Sequence, residues 1–100
     1  MRNAMRPIHP GEILREEFVV PLGLSASAVA RELKVPPNRI TGLLNETRAI
    51  TADTALRLAR FFGTTPEFWM NLQSGYDLRS AERESAKKIS AEIQPFAKTA

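Results

Sequence analysis

The polar side chains between positions 25 and 48 are the part of this sequence whose residue types and spacing could do chemistry, namely the recognition of nucleic acid. An asparagine can form two hydrogen bonds with adenine, and an arginine can form two with guanine. Hydroxyl groups and exposed amides bind phosphate oxygens. The candidate DNA contacts are Ser25, Ser27, Pro37, Asn38, Arg39, Thr41, Gly42, Asn45 and Arg48.

The residues that follow two adjacent prolines are expected to face the bases. Asn38 could pair with adenine and Arg39 with guanine, and each such pair discriminates against a wrong base by about 1–3 kcal/mol. Thr41 could bond a base edge or touch a thymine methyl group. Gly42 costs its helix about 1 kcal/mol relative to alanine, and we expect it to allow close approach of the backbone to DNA. For Asn38 and Arg39 the alternative is an ordinary solvated first turn.

A second group of side chains suits phosphates rather than bases. Ser25 and Ser27 lie at the predicted start of a helix, where free amides attract anions. Ser25 is expected to cap that helix, which leaves Ser27 as the better phosphate ligand. Arg48, in the loop after the second helix, is expected to clamp a phosphate.

Apolar residues on both sides of the prolines define the two helices that would position these groups. They recur at the i, i+3, i+4 spacing of a half-buried helix. They are Val29, Ala30 and Leu33 before the prolines, and Ile40, Leu43 and Leu44 after them. Pro36 and Pro37 cannot continue the first helix, but Pro37 can open the second. Such a pair of helices can insert its second member into the major groove.

The rest of the sequence predicts three more helices. The first runs from Pro10 to about Val20, the fourth from a Thr51 cap to Gly63, and the fifth starts after Thr65. No segment alternates apolar and polar residues for long enough to form a strand. We therefore expect an all-α fold with five helices.

Composition limits the classes of protein that the chain could be. Its 100 residues suit one domain, and a net charge of +3 with a pI of about 9.8 points only weakly to a polyanionic partner. The absence of cysteine excludes disulfides and thiolate zinc sites, and fits a cytoplasmic protein. No apolar run reaches the roughly 18 residues of a membrane span, and no signal peptide is visible.

Catalysis has no support in the sequence. His9 is the single histidine, and we expect it to be a helix-start residue. No histidine and acidic residues have the spacing of a metal site, and no phosphate-binding loop or nucleophile elbow occurs. We therefore expect no enzyme activity, no metal, no cofactor, no small-molecule substrate and no membrane association.

The segment from Ala26 to Asn45 resembles the helix-turn-helix of the Cro/C1-type, lambda-repressor-like DNA-binding domains. The small-residue position of that pattern holds Ala30. Its apolar positions hold Val29, Leu33, Val35, Ile40 and Leu43. The turn position that usually holds glycine is Lys34, so the turn is expected to differ slightly. The resemblance implies a lambda-repressor-like domain that binds double-stranded DNA.

A longer set of motifs resembles the HigA group of bacterial antitoxins. The motifs are His9-Pro10-Gly11-Glu12, Pro21-Leu22-Gly23-Leu24-Ser25, the stretch from Ile50 to Gly63 and the stretch from Pro66 to Gln73. Together they cover roughly residues 8–80. The resemblance implies a dimeric repressor of its own operon that neutralises a HigB-type toxin, an mRNA-cleaving nuclease.

We expect three parts in the chain. Residues 1–8 lack periodicity and are predicted to be a flexible arm. The helix-turn-helix domain spans residues 9–76, with the motif at 26–45, and Gly75 weakens the end of its fifth helix. Residues 77–100 are charged and alanine-rich, and are predicted to form a polar helix or a partly disordered tail.

Two surfaces are candidates for protein partners. Apolar residues on the fifth helix exceed what one domain needs, and a two-fold dimer interface is predicted to contain Phe68, Trp69, Leu72 and Tyr76, with Phe61 or Phe62 nearby. Acidic residues on the first helix are Glu12, Glu16 and Glu17. They could dock a basic toxin, although a solvated helix face is the favoured explanation.

Other functions remain open at this point. A stand-alone repressor of the same fold would have no toxin partner. A helical protein-interaction module would no longer bind DNA. Salt-dependent binding to duplex DNA distinguishes a repressor from such a module.

Overall fold

The computed structural model describes residues 6–96, and within that range the chain forms five helices and no strand. Helix α1 (Pro10–Ile13) continues without a break into a π-helical segment (Leu14–Val19). The other helices are α2 (Ala26–Leu33), α3 (Pro37–Leu44), α4 (Ala52–Phe62) and α5 (Pro66–Glu92). The predicted all-α fold is confirmed. Residues 1–5 of the predicted arm and 97–100 of the predicted tail lie outside the described range.

Side-chain caps set the starts of three helices, as predicted. The hydroxyl oxygens of Ser25, Thr51 and Thr65 each accept a hydrogen bond from the N–H three residues later, at 3.0, 3.3 and 3.1 Å. Each bond satisfies an N–H group that a helix start leaves without an internal partner. At the end of α4, Gly63 takes a φ of 73°, the left-handed conformation that favours glycine.

The first helix differs from the uniform α-helix that the sequence predicts. From Leu14 onward it has π-helical bonding, and the Val20 N–H bonds the carbonyl of Arg15, five residues back, at 2.9 Å. Bonding over five residues brings side chains five positions apart onto nearby faces. Leu14 and Val19 are therefore both buried, although α-helical spacing would separate them.

The core fills the space between the first helix, α2, α3, α4 and the first turns of α5. Its largest fully buried side chains include Trp69, Leu14, Ile40, Leu43, Leu58 and Val29. Burial of one such side chain contributes about 1.5–3 kcal/mol. Helices α2 and α3 are thus anchored by the same core that holds the first helix, α4 and the start of α5.

Helix α5 continues through Gly75, where the sequence predicts that it weakens, and ends at Glu92. Gln73 is its last buried residue within the described range, and Tyr76 is half-buried. The part beyond Tyr76 is mostly exposed, and the molecule measures 55 Å along its long axis. Domain limits at 9–76 and 77–100 stay predictions. Between residues 6 and 96 we find no helix that is apolar over enough of its length to cross a membrane.

Candidate nucleic-acid interface

Helices α2 and α3 pack against each other as the sequence predicts. Val29, Ala30 and Leu33 of α2 are at most 4% exposed, and Ile40 and Leu43 of α3 are fully buried. Ala30 presents only a methyl group, which lets the two helices approach closely. This contact fixes the direction of α3 and turns its opposite face to solvent.

Lys34 makes the turn between α2 and α3 in the left-handed conformation, with a φ of 61°. Its N–H bonds the carbonyl of Arg31, and the N–H of Val35 bonds the carbonyl of Ala30. These bonds satisfy the last carbonyl groups of α2 in an arrangement that commonly ends in glycine. The lysine therefore adopts backbone angles that glycine would adopt at a lower conformational cost.

The face of α3 that points away from the core carries most of the predicted DNA contacts. Pro37, Asn38, Thr41 and Asn45 are exposed there, and Arg48 is exposed in the following loop. The Thr41 hydroxyl donates to the carbonyl of Pro37 at 3.1 Å. Its methyl group and its acceptor lone pair are thus left for a further partner. The fold brings these predicted side chains together on one accessible surface.

Arg39 is the exception, because its guanidinium is turned toward α4. Its Nη1 donates to Asp53 Oδ2 at 2.7 Å, and its side chain is 30% exposed. The same Oδ2 accepts from Arg57 Nε at 2.9 Å. Hydrogen bonds from Arg57 and Arg39 hold the pKa of Asp53 below its usual value. The predicted guanine contact of Arg39 would therefore be made by an arginine that is already paired.

Gly42 makes room for a side chain of its own chain. A Cβ atom at this position would lie 3.2 Å from Cβ and 3.6 Å from Cδ of Arg48. The Gly42 carbonyl accepts from the N–H and the hydroxyl of Thr47, at 2.9 and 3.2 Å. The loop thus folds back over the end of α3. Contact with Arg48 is a sufficient reason for glycine here, and the predicted approach of DNA to this backbone stays a prediction.

Arg48, the predicted phosphate clamp, forms no ion pair with any residue between 6 and 96. It lies next to the exposed face of α3, where a phosphate of a bound duplex could reach it. The other predicted phosphate ligands are at the start of α2. Ser25 uses its hydroxyl as the helix cap, whereas Ser27 is exposed and remains the candidate ligand.

Arg15 supports the far end of α3, a role that the sequence analysis missed. Its Nη1 donates to the carbonyl oxygen of Leu44, and its Nη2 donates to Glu46 Oε2 at 3.2 Å. The last carbonyl groups of a helix lack internal partners and favour a nearby cation. No local pattern could identify this contact, because 29 positions separate Arg15 from Leu44.

Gln73 of α5 fixes the end of the loop that connects α3 to α4. Its Oε1 accepts from the N–H of Ile50 at 2.7 Å, and its Nε2 donates to Asp77 Oδ1 at 2.9 Å. Because Gln73 is buried, these bonds satisfy an amide that would otherwise be costly to enclose. Its position four residues after Trp69, on the inward stripe of α5, is the signal that could have identified it.

His9 caps α1, in agreement with its prediction as a helix-start residue. Its Nδ1 accepts from the N–H of Gly11 at 2.8 Å, and its ring packs edge-on against Tyr76 with centroids 4.8 Å apart. Burial lowers the pKa of His9, while Glu46 and the backbone of Arg48 oppose that shift. The neutral imidazole is the form that caps, since a protonated Nδ1 cannot accept a hydrogen bond.

The residues predicted for a dimer interface divide into buried and accessible ones. Trp69 is fully buried, and its Nε1 donates to Thr64 Oγ1 at 2.7 Å. The prediction of Trp69 as an interface residue is wrong, because the core of its own chain encloses the indole. Phe68 is 37% exposed, and Leu72 and Tyr76 are half-buried.

The acidic side chains of the first helix have partners within the chain. Glu12 pairs with Arg6 at 2.9 Å, and Glu16 pairs with Arg15 at 3.1 Å. The Glu16 side chain is solvated, at 52% exposure, whereas that of Glu12 is only 14% exposed, and neither pair gives specific support for toxin docking. Within the described part of the chain, no group of three or more histidine or acidic residues could hold a metal ion.

Known proteins resemble this chain in both sequence and structure. Residues 14–69 match the family model described as Helix-turn-helix. Over 83 residues the chain is 55% identical to virulence-associated protein I of Dichelobacter nodosus, covering 83% of this chain and 77% of that protein. An addiction module antidote protein of the HigA family from Coxiella burnetii superposes with a TM-score of 0.87 and 58% identity, covering 91% and 99% of the two chains. The Pseudomonas aeruginosa antitoxin HigA with the higBA promoter superposes with a TM-score of 0.89 and 49% identity, also covering 91% and 99%.

Proposed function

Since the chain belongs to the helix-turn-helix family and to its HigA-type antitoxin group, we propose that it is a sequence-specific DNA-binding antitoxin of a type II toxin–antitoxin system. As a homodimer in the cytoplasm it represses its own operon and neutralises an mRNA-cleaving HigB-type toxin. The family is one of DNA-binding proteins and not of enzymes, so the chemistry of this chain is recognition.

One observation carries the DNA-binding part of the proposal, namely the exposed polar face of α3 beside Arg48, which forms no ion pair within residues 6–96. Asn38 and Thr41 present groups suited to base edges, and Arg48 supplies a cation at their margin. The major groove is about 12 Å wide and admits an α-helix. The Pseudomonas aeruginosa antitoxin HigA with the higBA promoter, 49% identical to this chain, supports DNA binding by this chain.

A two-fold dimer would extend the recognised sequence. One α3 helix reads only a few base pairs, whereas two related by symmetry read half-sites about 34 Å apart. We propose an interface that includes Phe68, Leu72 and Tyr76, with Phe61 close by; Phe61 and Phe68 are 39% and 37% exposed. Sedimentation at micromolar concentration is expected to show a dimer, and a strictly monomeric profile would refute this part.

Footprinting of the full chain on the DNA upstream of its own coding sequence tests the DNA-binding part. Protection of a symmetric site is expected. The Asn38→Ala, Thr41→Ala, Arg48→Ala triple variant is expected to lose the footprint while keeping its helical circular dichroism. Equal, weak and salt-insensitive binding to every duplex would instead favour a protein-interaction module.

Co-expression with the product of the neighbouring gene tests the toxin part. A small basic nuclease is expected to co-purify with the chain and to lose mRNA cleavage when bound. The triple variant serves as the control, because it should retain the nuclease after it has lost DNA. If no nuclease is encoded nearby and none co-purifies, the chain is a stand-alone repressor of the same fold.

A further inference from the structure

We propose that Asp53 of α4 is a specificity-determining residue for DNA binding, because it occupies Arg39 of α3 and weakens the affinity of that arginine for phosphates. This inference rests on the proposed DNA-binding function. It assigns a role in recognition to a residue that lies outside the helix-turn-helix motif at 26–45.

Two arginines hold the carboxylate of Asp53 in place. Its Oδ2 accepts from both Arg39 Nη1 and Arg57 Nε, at 2.7 and 2.9 Å. Arg57 in turn donates from Nη1 to the carbonyl of Leu33 at 2.8 Å, which ties this group to the end of α2. Asp53 is thus a fixed partner for Arg39, because Arg57 of the same helix holds its carboxylate and is itself bonded to the end of α2.

Pairing with a fixed carboxylate affects the two kinds of DNA contact differently. A free arginine binds the phosphates of any sequence, whereas a phosphate must compete with Asp53 for the guanidinium of Arg39. Asp53 offsets part of that charge, since it shares its carboxylate with Arg57. Guanine offers two acceptors, O6 and N7, and the fork of five arginine N–H donors can meet them while one donor stays on the carboxylate. Asp53 therefore reduces sequence-independent binding more than base-specific binding.

Arg48 lies in the same cleft as Arg39 but differs from it in having no carboxylate partner in the described range. Arg39 and Arg48 both line an open cleft of about 290 Å³ between α3 and α4, together with Ala49, Thr51 and Thr54. Arg39 is paired there, whereas Arg48 has no ion pair in the described range. In this cleft Arg48 can bind a phosphate without giving up an ion pair, whereas Arg39 is expected to bind guanine in preference to phosphate.

Fluorescence anisotropy of the full chain with two duplexes tests the proposal. One duplex is the upstream site identified by footprinting, and the other is a scrambled sequence of equal composition. Asp53→Asn is expected to raise affinity for the scrambled duplex about threefold to fivefold, to steepen the salt slope by about 0.9, and to lower the ratio of specific to non-specific affinity. Asp53→Glu, which keeps the charge, is expected to retain most of that ratio.

Glu82→Gln is the matched control, because it removes the same charge from a pair with Arg79, 3.0 Å apart, on the exposed part of α5. It is expected to leave the affinity ratio unchanged. In an Arg39→Ala background, Asp53→Asn is expected to have no further effect on the ratio. Asp53→Ser is the second neutral variant if Asp53→Asn loses its helical circular dichroism.

Two outcomes would overturn the inference in different ways. If the wild-type chain prefers its upstream site but Asp53→Asn and Glu82→Gln change both affinities by equal factors, this inference alone fails. If the wild-type chain shows no preference and no salt dependence, the proposed function fails and the role of Asp53 fails with it.

Discussion

Gly11 in α1 lies so close to Leu43 in α3 that a methyl group added to Gly11 would overlap the backbone carbonyl oxygen of Leu43. The first turn of the described fold therefore rests directly on the helix that is proposed to read DNA. Space, and not backbone conformation, requires glycine here, because Gly11 lies in a regular helical turn with no positive φ.

Gly11→Ala is expected to lower the free energy of unfolding by about 3 kcal/mol, because the backbone of α3 cannot give way as a flexible side chain can. Gly75→Ala is the matched control, since nothing lies within 4 Å of a Cβ atom at Gly75. Alanine is favoured over glycine by about 1 kcal/mol in an exposed helix, so this variant should be more stable. Urea unfolding followed by circular dichroism measures both. Equal changes in the two variants would contradict the close contact.

Gly42→Ala separates the contact with Arg48 from the predicted approach of DNA. The added methyl group should favour the helix by about 1 kcal/mol but displace Arg48 by a few tenths of an ångström. We expect unchanged or higher thermal stability, with weaker binding to all duplexes alike. In an Arg48→Ala background the same substitution should leave affinity unchanged. A further loss of affinity there would show that DNA itself approaches Gly42.

His9 is expected to make stability depend on pH. Its pKa in the folded protein is lowered from the ordinary value of 6.5, so the unfolded chain binds the proton more readily. The contribution of the neutral cap is therefore complete above that ordinary value and declines as the pH falls below it. Melting temperatures are expected to decrease on acidification from about pH 8 to about pH 5.

His9→Asn provides the control for this pH effect. Asparagine can cap a helix start but does not titrate between about pH 5 and about pH 8. The variant is expected to lose most of the decrease in melting temperature over that interval. A decrease as large as that of the wild-type chain would assign the pH dependence to other groups.

Short-range signals were sufficient to predict where three of the helices begin. Ser25, Thr51 and Thr65 begin their helices because a hydroxyl reaches the N–H three residues later, which depends only on neighbouring positions. Helical spacing also predicts the contact of Ala30 with α3. The π-helical segment was not predicted, because nothing in the local pattern around Leu14 distinguishes bonding over five residues from bonding over four.

The candidate site was predictable only in part, because some of its contacts join positions that are far apart in the sequence. Asn38 and Thr41 had to be exposed once Ile40 and Leu43 faced the core, because the helical period leaves them on the opposite side. The partner of Arg39 could not be predicted, since Asp53 lies 14 positions away on another helix. An apolar stripe likewise does not reveal whether its members face their own core or a second copy of the chain, and Trp69 was misassigned on that account.

The most direct test of base reading by α3 is the affinity of Asn38→Ala and Arg48→Ala for a set of operator duplexes that each carry one changed base pair. Arg48→Ala is expected to weaken binding to every duplex alike and to reduce the salt slope by about one. Asn38→Ala is expected to cost about 1–3 kcal/mol on the unchanged operator and to remove the preference at particular base pairs. If both variants change every affinity by the same factor, the exposed face of α3 does not read bases and the central claim is contradicted.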